Sequence, residues 1–273
     1  MTRSRTALRP VLALALFAAL APAQGKTDDA AKKGADLPSR IKAFQEAIFD
    51  KKLAKDEDAI QMIDAFVKDA TAESPAMAAK EKDAVASAIG DVFFKAKQRE
   101  KERSGIYTAA AAGLGQLGPS GAKVLVRAFE DPKFRKKEWV DLRASLLREV
   151  GKTKDDAQVR FLVERATRDK DDEVLKAAGE ALGNYAGAKL PVRREIAKEL
   201  INKYNEIHNG ANANVDPNDP MVKARRDSLA AITDPWNTTL AKLTGQNDLR
   251  QAPEWLRWWN KNKDENWDRK DKS

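Results

Sequence analysis

Residues 110–118 (AAAGLGQLG), 143–151 (RASLLREVG) and 178–186 (AGEALGNYA) carry one short pattern three times. Leu114, Leu147 and Leu182 align, as do Leu117, Val150 and Tyr185, so the copies stand 33 and then 35 residues apart. A fixed period of this size, carried by apolar residues at helical spacing, is the signature of stacked helical hairpins. One hairpin cannot bury its apolar stripe alone, so the next has to stack on it. Alanine and glycine at the tight positions let neighbouring helices approach, and the leucines fill the space between layers. The fold class expected is all-α: an α-α superhelix, a solenoid of helical hairpins with a helical cap at each end.

Working outward, Ile106 to Leu117 is expected as a helix ended by Gly118, with Pro119 opening a partner that carries Val124, Leu125, Ala128 and Phe129. Asp131-Pro132 breaks the chain. Trp139, Leu142, Leu146, Leu147 and Val150 mark the next first helix, closed by Gly151. Val159, Leu162, Val163 and Ala166 mark its partner. After a turn at 169–172 the theme returns through Val174, Ala178, Ala181, Leu182 and Tyr185, and a longer partner follows from Leu190 to Ile207. Residues 104–207 are thus the repeat array.

Upstream, 37–103 reads as a helical cap or a set of degenerate repeats, with helices starting near Pro38, Asp56 and Ser74-Pro75. Downstream, 208–220 is an Asn-rich loop headed by His208, longer than an ordinary inter-helix turn. Residues 221–267 hold the C-terminal helices and a Trp-rich cap, the first helix running from Met221 to Ile232 before Asp234-Pro235 breaks it. Residues 268–273 are a charged tail.

Asp172-Glu173-Val174, then Ala178, then Ala181-Leu182-Gly183 follow the spacing of a known repeat, and residues 107–187 resemble HEAT repeats. Lys176 stands where that pattern has Arg, and Arg148 stands where a Gly follows the Leu. Residues 240–246 (LAKLTGQ) with 253–259 (PEWLRWW) are similar to the closing segment of exported HEAT-repeat proteins of planctomycete-like bacteria. Ala252 takes the place of an acidic residue there. The resemblance implies an α-solenoid used as a protein-binding scaffold, with no family-wide catalytic residues.

Arg3, Arg5 and Arg9, an apolar run from Val11 to Leu20, and Ala21-Pro22-Ala23 form the secretory signal pattern. Cleavage is expected after Ala23, release to the periplasm or outside the cell, and a flexible leader over 24–36. Three of the 50 basic residues and no acid lie in 1–23, so the net charge falls from +8 to +5 without them. That mild excess suits a solvated helical surface. With no cysteine and one histidine, disulfides, thiolate metal sites and multi-His centres are excluded.

No catalytic, cofactor-binding or metal-binding residue is assigned, no cofactor is expected, and the chain is not read as an enzyme. The acid pairs Asp155-Asp156 and Asp171-Asp172 sit at helix starts, where carboxylates cap; Asp28-Asp29 is a third pair. Trp255, Trp258 and Trp259 share one helix face and read as a lid on the last repeat, the other reading being a sugar- or base-stacking platform. Lys95 to Arg103, the group Lys133, Arg135, Lys136 and Lys137, and the group Lys223, Arg225 and Arg226 read as solvated faces. Asn237-Thr238-Thr239 matches a glycosylation acceptor.

The function expected is an exported, non-catalytic scaffold for an unidentified protein partner. No small-molecule substrate, nucleic acid or membrane span after processing is expected. The alternative is a polyanion- or glycan-binding module using the basic patches and tryptophans, with an enzyme of unknown type third.

Overall fold

The computed structural model describes residues 36–213 and 219–268. The signal pattern, all of 24–36 except Asp36, and the tail beyond Asp268 lie outside the described residues. So do residues 214–218 of the Asn-rich stretch.

Among the described residues the chain is all-helical. Three helices precede the repeats: α1 (Leu37–Ile48), α2 (Asp56–Thr71) and α3 (Ala79–Phe94). Asp56, Glu57 and Asp58 put three carboxylates on the first turn of α2, against its positive dipole end. The repeat region holds α4 (Gly105–Gln116), α5 (Pro119–Glu130), α6 (Val140–Lys152), α7 (Val159–Arg168), α8 (Asp172–Leu182) and α9 (Leu190–Ala211). Then come α10 (Pro220–Thr244) and α11 (Ala252–Asn262). None of these helices is long and apolar enough to cross a membrane.

Every second helix packs on the next: α2 on α4, α4 on α6, α6 on α8, and α8 on α10. The intervening helices form two such series, α1 on α3 on α5 and α7 on α9 on α11, with α5 and α7 not packed along their lengths. Leu114, Leu147 and Leu182 are fully buried in equivalent places on α4, α6 and α8, and Leu117, Val150 and Tyr185 are at most 4% exposed. The 33/35 period is therefore the spacing of buried leucines on helices that pack on one another. One core runs from Phe44 to Trp255. The N-terminal helices belong to it, through an aromatic cluster in which the Tyr107 ring lies 5.6 Å from Phe93, 5.2 Å from Phe134 and 5.8 Å from Trp139.

Gly118 ends α4 as expected: its φ of +62° is a left-handed value that favours glycine, and Pro119 supplies the preset φ of the first turn of α5. Gly151 does not close α6, which continues to Lys152. A methyl carbon at Gly151 would sit 2.5 Å from the Ala181 carbonyl oxygen, so the residue is small to let α8 approach. The pairing of neighbours also differs from expectation. α7 packs on α8 and α9 on α10, whereas α6 with α7 and α8 with α9 make little contact.

Two boundaries move. α9 runs on to Ala211, so His208 lies in a helix rather than at the head of a loop. α10 passes straight through Asp234-Pro235 to Thr244, where Gly245 ends it at φ +80°. Proline in a helix interior costs about 3 kcal/mol. Trp236, Leu240 and Leu243, all just beyond it, are fully buried, and each such side chain contributes roughly 1.5–3 kcal/mol. Packing outweighs the break.

Candidate functional site

The tryptophan-rich end is part core and part surface. Trp255 is fully buried, and its indole N–H donates to Asn237 Oδ1 at 2.7 Å. Trp258 and Trp259 are half-buried. Trp267 folds back beside both, with ring planes inclined 52° and 74° to theirs, and Trp255 and Trp258 meet at 81°. In none of these three contacts are the rings coplanar. Gln251 occupies the N-cap of α11, and Glu254 Oε2 accepts the backbone N–H of Arg250 at 2.8 Å and of Gln251 at 3.0 Å. Those N–H groups hold the Glu254 carboxyl below its ordinary value. The cap is therefore in place above the usual carboxylate range and lost as pH falls through the lowered value. It caps the helix, with alanine at position 252.

Asn237 heads the sequence pattern of a glycan acceptor, yet it is a core residue. Besides accepting from Trp255, its side-chain amide donates to the Arg250 carbonyl at 2.7 Å, joining α10 to α11 and the connection before it. Asn237→Ala leaves the Trp255 indole N–H buried and unpaired and takes from the Arg250 carbonyl the shorter of its two bonds, the other coming from the Tyr204 hydroxyl, a cost of about 1–3 kcal/mol. Thermal melting should show the loss, and mass spectrometry of the chain made in a glycosylating host should show Asn237 unmodified.

The acid pairs divide. Asp155 caps as expected, accepting the Ala157 N–H at 3.1 Å. Asp171 stands at the N-cap of α8 without a cap bond, because its carboxylate turns to Arg143 at 2.7 Å. Asp172 accepts the Ser228 hydroxyl at 2.5 Å. His208 is half-buried on α9, with Asn209 beside its ring.

Several side chains of the basic patches bond to backbone carbonyls, though only Arg99 among them is buried. Arg99 is wholly buried, Lys97 reaches the Lys51 carbonyl, Lys133 donates to the Phe93 carbonyl, and Arg226 donates to the Ala211 carbonyl. These side chains close the backbone of neighbouring elements rather than forming a continuous basic track.

Two clefts open on the surface. One, about 360 Å³, lies among α8, α9 and α10 and mixes charges: Asp169, Asp172 and Glu206 with Lys170, Lys203 and Arg225. The other, about 550 Å³, opens where α5 and α7 fail to pack. Phe129, Glu130, Arg135, Arg143 and Arg165 line it. The Arg143 guanidinium lies 4.7 Å from the Phe129 ring centre and that of Arg165 lies 5.6 Å from Phe161, with the two rings edge to face at 5.6 Å. Both guanidinium groups of the lining are thus held over an aromatic ring by a cation–π contact, Arg143 over Phe129 and Arg165 over Phe161.

Arg143 is buried, and its Nη atoms reach Asp171 at 2.7 Å and Asp169 at 3.0 Å. Arg165 pairs with Glu164 at 2.8 Å. The Nε–H of Arg143 and that of Arg165 are buried without a partner. Arg135, exposed at the mouth, donates to the Glu130 carbonyl and forms no ion pair among the described residues. With no nucleophile or proton-transfer pair lining it, the cleft is suited to holding an anionic group. The sequence reading missed Arg143 and Arg165. The available signal was that Arg143 sits four residues after Trp139 and seven before Val150, on the apolar face of α6.

No family model matches the sequence, and no curated protein matches it significantly.

Proposed function

We propose that the chain is an exported, non-catalytic α-solenoid of HEAT-like layers that serves as a scaffold for another protein. The observation that carries the reading is the serial packing of α2, α4, α6, α8 and α10, each helix stacked on the next at the sequence period. Such an array gives a long surface repeated in register, which suits extended protein contacts. The crossed indole planes at the C-terminal end favour this reading over a glycan platform, which stacks sugars on exposed coplanar rings. The signal pattern in 1–23 supports export.

The test begins with the full gene expressed in a Gram-negative host, where Gln24 should be the first residue of the recovered protein. That protein, immobilised, should retain one discrete protein from periplasmic extract. Mixed again in pure form, the two should co-elute as a stoichiometric complex. Retention of envelope polysaccharide alone would overturn the scaffold reading.

A further inference from the structure

We infer that the cleft between α5 and α7 is a carboxylate-binding site that receives an acidic segment of the protein partner, an inference that rests on the scaffold reading. The cleft is lined by three arginines and Phe129, whose ring packs edge to face on Phe161. A guanidinium offers five N–H donors in a flat fork that matches a planar carboxylate. Arg143 spends two of its donors on Asp169 and Asp171, Arg165 one on Glu164, and Arg135 one on a carbonyl. Donors therefore remain on all three, including the two buried Nε–H groups without an acceptor.

Asp169, Asp171 and Glu164 stand behind or beside Arg143 and Arg165 and offset their charge. The unbalanced charge lies at the mouth. Of the lining residues, Arg135 is exposed and forms no ion pair among the described residues, against Glu130, and the next two residues of the chain, Lys136 and Lys137, are exposed and likewise form none. A carboxylate entering from that side meets the uncompensated cations first. It then reaches guanidinium groups already held flat against Phe129 and Phe161, so little side-chain freedom is lost on binding. The apolar ring faces suit the methylene stem of a glutamate.

A polymeric anion is less well matched. The cleft is local, and the basic patches that would have to extend it are tied to backbone carbonyls at Lys97, Lys133 and Arg226. Arginine with aromatic residues is also the composition that dominates binding at protein interfaces.

The experiment is fluorescence anisotropy of a labelled hexaglutamate peptide titrated with the full-length protein, at low and at high salt. Hexalysine and an oligogalacturonate serve as comparison probes. The cleft variant is Arg135→Ala/Arg165→Gln, which spares the paired Arg143. A variant with the same charge change elsewhere, Lys42→Ala/Lys80→Ala, is the control, and thermal melting establishes that both are folded. Saturable hexaglutamate binding, about tenfold weaker in the cleft variant, is the expected result. The control variant should bind as wild type, hexalysine should not bind, and added salt should weaken the complex.

The inference is overturned by the absence of saturation, by equal weakening in the control, or by tighter binding of oligogalacturonate. If hexaglutamate fails while a purified partner still co-elutes with the wild type, the cleft assignment falls and the scaffold reading stands. If hexaglutamate binds through the cleft but no protein partner is retained, the scaffold reading falls, and with it the partner named for the site.

Discussion

Trp236→Ala should lower the melting temperature by about 6–20 °C, the equivalent of about 3–5 kcal/mol for emptying a large core site in a chain of this size. Trp236 is fully buried on α10, edge to face with Tyr204 at 6.2 Å. Its indole lies against Gly179 of α8, so close that a methyl carbon there would fall 2.0 Å from Nε1. The neighbouring contact is a hydrogen bond from Thr239 Oγ1 to the Gly179 carbonyl at 3.0 Å. The two helices therefore meet on one ring. Gly179→Ala overpacks this seam, an insertion that costs about 1–3 kcal/mol. Trp236→Phe removes the clashing nitrogen, which is itself buried without a partner, so it should cost less than Trp236→Ala. It should also relieve the alanine. A double-mutant cycle of Gly179→Ala with Trp236→Phe should show a favourable coupling of about 1–3 kcal/mol. Simple additivity would mean that α8 and α10 move apart freely, and this account of the seam would be wrong.

What the amino-acid pattern made legible was the all-helical fold and which helix faces are buried, because burial at one face of a helix selects residue type directly. Leu114, Leu147 and Leu182 are wholly inside, and Ala and Gly stand where helices come close. Local chemistry was legible where nothing opposed it, as at Gly118-Pro119 and the acidic start of α2. It failed where packing overrode it. Pro235 should break a helix, but the buried side chains just after it hold the chain helical. The capping preference of Asp171 lost to Arg143. The arginine cleft could not be read at all as a cleft. Arg135 and Arg143 are near in sequence but Arg165 stands on a later helix, and the opening arises from helix pairs that do not pack, a relation no local pattern encodes. Four tryptophans near the end were legible as a cluster, but only Trp255 finds a partner deep enough to be core.

The second large effect lies in the stretch from Lys95 to Arg103, where composition suggested a wet surface and the structure places a buried charge. Arg99 has no exposed side-chain area. Its Nη2 donates to Asp56 Oδ1 at 2.7 Å and to the Ile48 carbonyl at 3.1 Å. Nε donates to Asp56 Oδ2 at 3.2 Å, and Nη1 to the Lys97 carbonyl at 2.6 Å. Its backbone N–H donates to the Tyr107 hydroxyl at 3.0 Å. One side chain thus joins the end of α1, the start of α2 and the connection into α4. Asp56→Ala should cost about 3–5 kcal/mol, because it strands a buried guanidinium without its counter-charge. Arg99→Met should cost less than Asp56→Ala: its apolar stem is similar in shape, and the Asp56 carboxylate keeps 17% of its side-chain surface in water. The double variant Arg99→Met/Asp56→Leu should recover much of the loss, since exchanging a buried ion pair for apolar side chains of similar volume is often neutral or stabilising. Urea unfolding of the four proteins measures all three differences. Near-wild-type stability of Asp56→Ala would show that Arg99 is not held by this pair, and a double variant worse than either single change would show that the carbonyl bonds dominate. The pair thus fixes a connection that the bare run of charges conceals, because a charged residue ringed by the Ile48 and Lys97 carbonyls and the Asp56 carboxylate belongs to the core.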